Sequence, residues 1–251
     1  MNHLFSKPGM AALRDFAASG ALVALDYDGT LTPIREHPRE AVLARSMCRQ
    51  LEELRRVLPT VIVTGRASSE LRPLLGDLHD IDIIGNHGAE TSALIPPDVQ
   101  ARVTAWREAL EDRLLPLEGV MVEDKGYSLS VHYRLSRDWA DARDSITQAA
   151  RELSGARIFG GKAVINIVLR EAPNKGTAVL MARQRANTSR VIYVGDDVTD
   201  EDVFSLKRPD EILTVHVGPA TQTQAEYHVR DIEEVRELLE LLARLAHGER
   251  L

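Results

Sequence analysis

The chain predicts an α/β fold: a parallel-sheet core that carries an inserted α/β cap domain. Three observations carry this expectation. Short apolar runs end abruptly in polar residues, helical spacings lie between those runs, and the texture changes over the middle of the chain. Met10 to Ser19 has the spacing of a short helix stopped by Gly20. Ala21-Leu22-Val23-Ala24-Leu25 then reads as a buried strand closed by Asp26-Tyr27-Asp28-Gly29-Thr30-Leu31. Pro33 and Pro38 break the next stretch into a loop, after which Leu43, Met47, Leu51 and Leu54 give a helix over Val42 to Val57. Thr60-Val61-Ile62-Val63 is a second buried strand, running into Thr64-Gly65-Arg66, and a helix starts at Ser68 or Ser69. Strand, helix and strand in this order make a right-handed parallel unit. Ile81 to Glu90 gives a third strand that ends in the polar turn Gly85-Asn86-His87-Gly88.

From Thr91 the pattern alternates differently. Pro96-Pro97 precede a charged helix carrying Val103, Trp106, Leu110 and Leu114; strand-like runs follow at 119–124, 127–134 and 156–169, with a helix over 138–153. This reads as a small domain at 93–170, inserted into a core made of 1–92 and 171–251. The core resumes with Ala172-Pro173-Asn174-Lys175-Gly176 and a helix from Thr177 to Arg185. A fourth buried strand at Arg190 to Gly195 runs into an acidic cluster, Asp196 to Asp202. A last strand at Ile212 to Gly218 and a helix over 233–246 close the fold.

A formal net charge of -7 argues against a nucleic-acid backbone or an anionic membrane surface as partner. An anionic small substrate then needs a metal, or particular Lys and Arg residues, to receive it. The single Cys48 cannot form an intramolecular disulfide, which fits a reduced, cytoplasmic setting. No apolar run reaches the ~18 residues of a membrane span and no signal-peptide core is visible, so a soluble protein that stays in the cytoplasm is expected. A monomer is the expected state, although no residue pattern fixes it.

The chemistry lies at the strand ends. Asp26 and Asp28 leave one strand together, and two close carboxylates repel unless a cation lies between them. Asp196, with Asp197 as a further candidate, ends another strand; if the two strands are neighbours, Asp26, Asp28, Asp196 and Asp197 can hold Mg²⁺. Such a site suits phosphate chemistry. The sequence has no strand-end Cys, no Gly-x-Ser-x-Gly elbow and no Gly-x-x-x-x-Gly-Lys loop, which leaves a carboxylate as nucleophile. Asp26 is placed to attack phosphorus, Asp28 to exchange the proton, and Lys175 and Thr64 to stabilise the phosphoryl oxygens. Taken alone, Thr64 reads first as a helix cap, while Arg66 reads equally as a helix-start ion pair and Asn86 with His87 as a hydrogen-bonded turn.

Taken as an ordered set, Asp26-Tyr27-Asp28-Gly29-Thr30-Leu31, Val63-Thr64-Gly65-Arg66, Asn174-Lys175-Gly176 and Gly195-Asp196-Asp197-Val198-Thr199-Asp200-Glu201-Asp202 resemble the haloacid dehalogenase superfamily of phosphatases. Gly85-Asn86-His87-Gly88, Glu123-Asp124-Lys125-Gly126 and His132-Tyr133-Arg134 narrow the resemblance to trehalose-6-phosphate phosphatases, over about residues 20 to 240. It implies a Rossmann-like core and a mobile cap that closes over a sugar phosphate. By position Asp26 matches the family nucleophile, Asp28 the acid/base, Asp196 the Mg²⁺ ligand, and Thr64 and Lys175 the phosphate contacts. Glu123 and Lys125 match cap residues that grip sugar hydroxyls, while Arg66, Asn86 and His87 fall near the substrate.

One stretch departs from the pattern. Where the family carries Val-x-Glu-[Ile/Val]-[Arg/Lys]-Pro, this chain has Val164-Ile165-Asn166-Ile167-Val168-Leu169, so Asn166 replaces a Glu expected to bind a glucose hydroxyl. An amide still binds a hydroxyl, but without the charge-assisted bond, which is roughly twice as strong as a neutral one. Trehalose 6-phosphate is the leading substrate, and another glycosyl or pseudodisaccharide phosphate competes. A non-catalytic sugar-phosphate sensor would be expected to lack Asp26, Asp28, Lys175 or Asp196; all four are present.

Overall fold

The computed structural model describes residues 1–35, 37–78, 80–90, 96–161, 163–219 and 222–248. It divides into two units, Met1–Gly88 with Asn174–Leu251, and Ala89–Pro173. These borders lie a few residues from 92/93 and 170/171. Gly88 explains where the first unit ends: a Cβ there would sit 2.5 Å from the Asn174 carbonyl oxygen, so the outgoing and returning chain touch at that glycine.

In chain order the first unit begins with β1 (Asn2–His3), α1 (Lys7–Ala18), β2 (Leu22–Leu25), α2 (Arg45–Arg55), β3 (Thr60–Val63), α3 (Ser68–Leu71) and β4 (Asp82–Ile84). The second unit holds α4 (Pro97–Leu114), β5 (Met121–Asp124), β6 (Ser128–His132), α5 (Trp139–Arg151), β7 (Ala156–Gly161) and β8 (Val164–Leu169). The first unit then resumes with α6 (Lys175–Arg185), β9 (Val191–Gly195), α7 (Glu201–Phe204), β10 (Ile212–Val217), β11 (Tyr227–Val229) and α8 (Ile232–Ala246).

In the first unit a seven-stranded sheet runs in the order β1-β11-β10-β9-β2-β3-β4, every pair parallel. Both faces are covered, which is why its strands read as unbroken apolar runs rather than alternations. Val23, Leu25, Ile192 and Val194 pack with Leu13, Leu51, Leu54, Leu238 and Leu242 of α1, α2 and α8. On the other face Leu22, Ala24, Val61 and Tyr193 meet Val179 and Ala182 of α6 and Phe204 of α7. Successive strands step one way from β2 and the other way from β9, and Leu25 is level with both Val194 and Ile62. Such a switch point opens a crevice at the carboxyl ends of the strands.

In the second unit β5-β6-β8-β7 form an antiparallel sheet. Its apolar face, with Leu129, Val131, Ile165 and Ile167, packs on Val103, Trp106 and Leu110 of α4 and Ile146 of α5. The run at 156–169, expected as one strand, is a hairpin: Ala156 pairs with Leu169 and Gly161 with Val164. The strands β1 and β11, two and three residues long, carry no periodicity that sequence reading could find. α1 starts earlier than expected because Pro8 falls in its first turn, where a missing N–H costs nothing. No helix among the described residues is long and apolar enough to cross a membrane.

Glu234 ties β1 to α8. Its carboxylate accepts hydrogen bonds from the Arg230 N–H at 2.6 Å, from the Arg230 guanidinium, and from His3 Nε2 at 2.9 Å. Burial pushes its pKa up, but the Arg230 and His3 hydrogen bonds win and hold it down at about 2. A depressed carboxylate stabilises the fold above its unfolded value near 4.5 and loses that contribution as pH falls towards about 2. Glu234→Gln is expected to lower stability at neutral pH by roughly 1–3 kcal/mol. Denaturant midpoints should show the gap from the unsubstituted protein closing as pH falls from about 4.5 to about 2.

Candidate active site

Asp26 follows the buried strand β2 and is only 4% exposed; its N–H still bonds the Val194 carbonyl at 2.9 Å, which fixes it beside β9. The chain then folds into a tight loop in which the Tyr27 carbonyl accepts from Leu31 and Thr32, and the Gly29 N–H donates to the Thr32 carbonyl at 2.7 Å. Thr30 Oγ1 reaches across to Asp196 Oδ1 at 3.0 Å. Gly29 has φ +90°, and a Cβ on it would lie 2.0 Å from Asp196 Oδ2. Only glycine lets this loop close against the carboxylate.

Beyond β9 the chain turns back on itself. Asp197 caps the short turn 198–200, and Asp200 Oδ2 accepts the Asp197 N–H at 2.8 Å, a reciprocal capping arrangement. Asp200 is fully buried, and Gly195 gives it room: a Cβ there would be 2.3 Å from Asp200 Cγ. Asp200 Oδ1 accepts from Tyr193 Oη at 2.6 Å and from Lys175 Nζ at 2.7 Å; the same Nζ donates to Asp26 Oδ1 at 2.9 Å. Lys175 opens α6, which Asn174 caps by accepting the Thr177 N–H at 2.9 Å.

Of the four expected metal ligands, Asp26 and Asp196 come together, and the third carboxylate beside them is Asp200: single oxygens of the three all lie within 4.8 Å of one another. The side chains of Asp28 and Asp197 do not join this group. Asp28 is held by Arg66, with two hydrogen bonds of 2.6 Å, and the exposed Asp197 is a cap. Sequence reading missed Asp200 and its partner Tyr193. The Asp-x-x-Asp spacing of a capping box was the available signal, because it turns the second acid back towards the strand end.

Three carboxylates face one ammonium here, and the excess negative charge shows in their acidity. Burial, then the charges of Asp200 and Asp196, raise the pKa of Asp26 well above the ordinary range, against the pull of Lys175. Burial and Asp200 push Asp196 up to about 7 despite the Thr30 hydrogen bond. Burial works against the charge of Lys175, but Asp200 and Asp26 outweigh it and hold its pKa above the usual lysine value. All-oxygen donors with surplus charge fit a hard divalent cation.

Thr64 ends β3, nearly fully buried; its N–H bonds the Ile84 carbonyl and its Oγ1 accepts the Arg66 N–H at 3.2 Å. β4 stops at Ile84, short of the expected strand to Glu90, because Asn86 and His87 adopt left-handed φ of 51° and 55°. Their backbone closes on the neighbouring turn, Asn86 N–H to the Arg66 carbonyl at 2.8 Å and His87 N–H to the Thr64 carbonyl at 2.9 Å. In the second unit Glu123, Ser130 and Asn166 sit level across β5, β6 and β8. Glu123 Oε2 bonds His132 Nε2 at 2.7 Å and lies 3.7 Å from Lys125 Nζ, while Ser130 Oγ donates to Asn166 Oδ1 at 2.8 Å.

A family model described as trehalose-phosphatase matches residues 24–233. A probable trehalose-phosphate phosphatase D of Arabidopsis thaliana is 30% identical over 242 residues, which cover 87% of this chain and 66% of that protein. The trehalose 6-phosphate phosphatase RA3 of Zea mays is 30% identical over 258 residues, 90% of this chain and 71% of that one. The crystal structure of a trehalose-6-phosphate phosphatase related protein superposes with a TM-score of 0.74 at 28% identity, covering 92% of this chain and all of the other. The chain spans about two thirds of the length of the curated relatives it matches.

Gly29 and Gly218 separate two effects, because both have φ near +90° but, among the described residues, nothing lies within 4 Å of a Cβ on Gly218. Gly218→Ala is expected to cost about 1–2 kcal/mol, the backbone term alone. Gly29→Ala should cost at least about 2 kcal/mol more, since it also drives a methyl into the Asp196 carboxylate. Equal losses in chemical denaturation would mean that the loop is not packed against Asp196.

Proposed function

Because the chain belongs to the trehalose-phosphatase family, we propose that it hydrolyses the phosphate ester of trehalose 6-phosphate to trehalose and inorganic phosphate. The observation that carries this reading is Lys175, buried between Asp26 and Asp200 beside Asp196 at the switch point of the sheet. In the proposed reaction an Asp26 oxygen attacks phosphorus, the bond from phosphorus to the sugar oxygen breaks, and Asp28 gives that oxygen its proton. Water then attacks the aspartyl-phosphate, losing a proton to Asp28, and Asp26 is restored. Lys175 and Thr64 hold the charge on the transferring oxygens. Asp26 and Asp196 would hold Mg²⁺, with Asp200, already accepting three hydrogen bonds, as the fixed charge behind them. The ion supplies positive charge that keeps these carboxylates ionised near neutral pH and offsets the phosphoryl charge.

Glu123 and Lys125 are the proposed sugar-hydroxyl contacts of the second unit, and Arg66, Asn86 and His87 are the proposed substrate contacts of the first. One observation favours a second reading of the substrate. Ser130 engages Asn166 Oδ1, so this side chain offers a ligand its Nδ2 donors, where an acid would offer an acceptor. The chemistry then stays and the sugar changes, to another glycosyl or pseudodisaccharide phosphate.

Phosphate release across a panel of sugar phosphates distinguishes the two, with kcat/KM for trehalose 6-phosphate expected at least tenfold above the rest, about 1.4 kcal/mol. A flat profile removes trehalose 6-phosphate as the preferred substrate. Asp26→Asn should lower kcat by about 10³-fold or more without lowering the melting temperature, and a chelator should abolish turnover reversibly. Retained turnover in Asp26→Asn would reassign the nucleophile.

Mg²⁺ binding must also depend on pH. A raised carboxylate pKa means a proton occupies Asp196 below about 7 and has to leave before the ion can bind. Affinity measured by calorimetry should therefore fall as pH drops below about 7, by up to about tenfold per pH unit, and level off above it. A flat affinity between pH 5 and 8, roughly the window in which a group shifted this far titrates, would take Asp196 out of the site.

A further inference from the structure

Arg66 grips the carboxylate of Asp28 with two parallel bonds, Nε to Oδ2 and Nη2 to Oδ1, both 2.6 Å. Both oxygens of the proposed acid/base residue are therefore engaged, and a carboxyl group so held has to be released before it can reach a leaving group. The pair is placed where an anion can compete for it. The Asp28 side chain is 34% exposed, and the Arg66 backbone N–H bonds Thr64 Oγ1, so the arginine springs from the turn assigned to the phosphoryl group. Two weaker ties steady the guanidinium without filling its fork: Nη1 donates to the Pro38 carbonyl at 2.9 Å, and Cζ lies 5.7 Å from the centre of the Tyr27 ring.

A guanidinium fork matches carboxylate and phosphate alike, and a phosphoryl dianion carries more charge than a carboxylate. The geometry points to an exchange at Arg66: the guanidinium holds Asp28 until a phosphoryl group arrives, then passes its fork to the phosphoryl oxygens and releases Asp28 for proton transfer. Arg66 is thus a positioning residue for Asp28 in the empty site and a phosphate contact in the filled one. The acid/base is set free only when there is an ester to cleave. This inference rests on the phosphatase reading above.

A double-mutant cycle on the Kd of inorganic phosphate, measured by calorimetry with saturating Mg²⁺, tests it without reference to turnover. Asp28→Asn removes the carboxylate that phosphate must displace and is expected to tighten binding about tenfold. In the Arg66→Gln background the same substitution should change Kd by less than about twofold, because no fork is left to be released. Thermal melts check that each variant is folded. Arg66→Lys, which keeps the charge and loses the fork, is expected to behave like Arg66→Gln in the cycle and replaces it if that variant is unfolded. Equal tightening in both backgrounds is a bulk charge effect and overturns the exchange, as does no tightening in the otherwise native chain. If the native chain binds no phosphate at all, the phosphatase reading itself falls.

Discussion

The buried ammonium of Lys175 is the interaction on which the first unit's site depends. At 1% exposure a charged lysine is tolerable only with opposite charge in contact, and Asp26 and Asp200 provide it from two different strand ends. The converse holds equally: three carboxylates this close need a cation among them, and Lys175 answers only part of that demand. Burial and this residual charge together raise Asp26 and Asp196, and the charge is what makes the cluster a fit for a divalent ion.

Holding such groups together demands close backbone approaches. Gly29 lets the loop after β2 fold against Asp196, Gly195 admits the Asp200 carboxylate, and at Gly176 a Cβ would lie 2.3 Å from the Asp202 carbonyl oxygen. Each of the three lies within three residues of an acid or base of the cluster. Glycines that look like loop punctuation in the sequence are clearance for the functional groups, and they limit what mutation can do there more strictly than the exposed acids do.

Much of this could be read from the residues. Strands buried on both faces must be apolar throughout, so β2, β3 and β9 announced themselves, and the polar residues that interrupt them marked the functional edge. Asp26, Thr64, Lys175 and Asp196 were legible because each sits at a break in a pattern. Asp200 was hidden inside an acidic run whose members look alike; only the capping geometry singles it out from Asp197. The pairing of Asp28 with Arg66 was hidden for a different reason. It joins positions 38 residues apart, and nothing local distinguishes an arginine that grips a carboxylate from one that starts a helix. β1 and β11 were invisible because their pairing, Asn2 with Tyr227 and His3 with His228, depends on a contact across almost the whole chain.

The two units answer to different constraints. In the first, one buried ammonium answers Asp26 and Asp200 together, so removing Lys175 leaves buried carboxylates without their counterpart, an expensive error. In the second, Asn166 lies 6% exposed beside Ser130, and a neutral amide there needs only hydrogen-bond partners; an acid in the same place would need a cation as well. A change from acid to amide can thus be absorbed locally by one serine hydroxyl. The Lys175 cluster is therefore held by charge balance, while the row on β5, β6 and β8 can vary one hydrogen bond at a time. On the proposed function, such a division would let the reaction stay constant while the sugar contacts change.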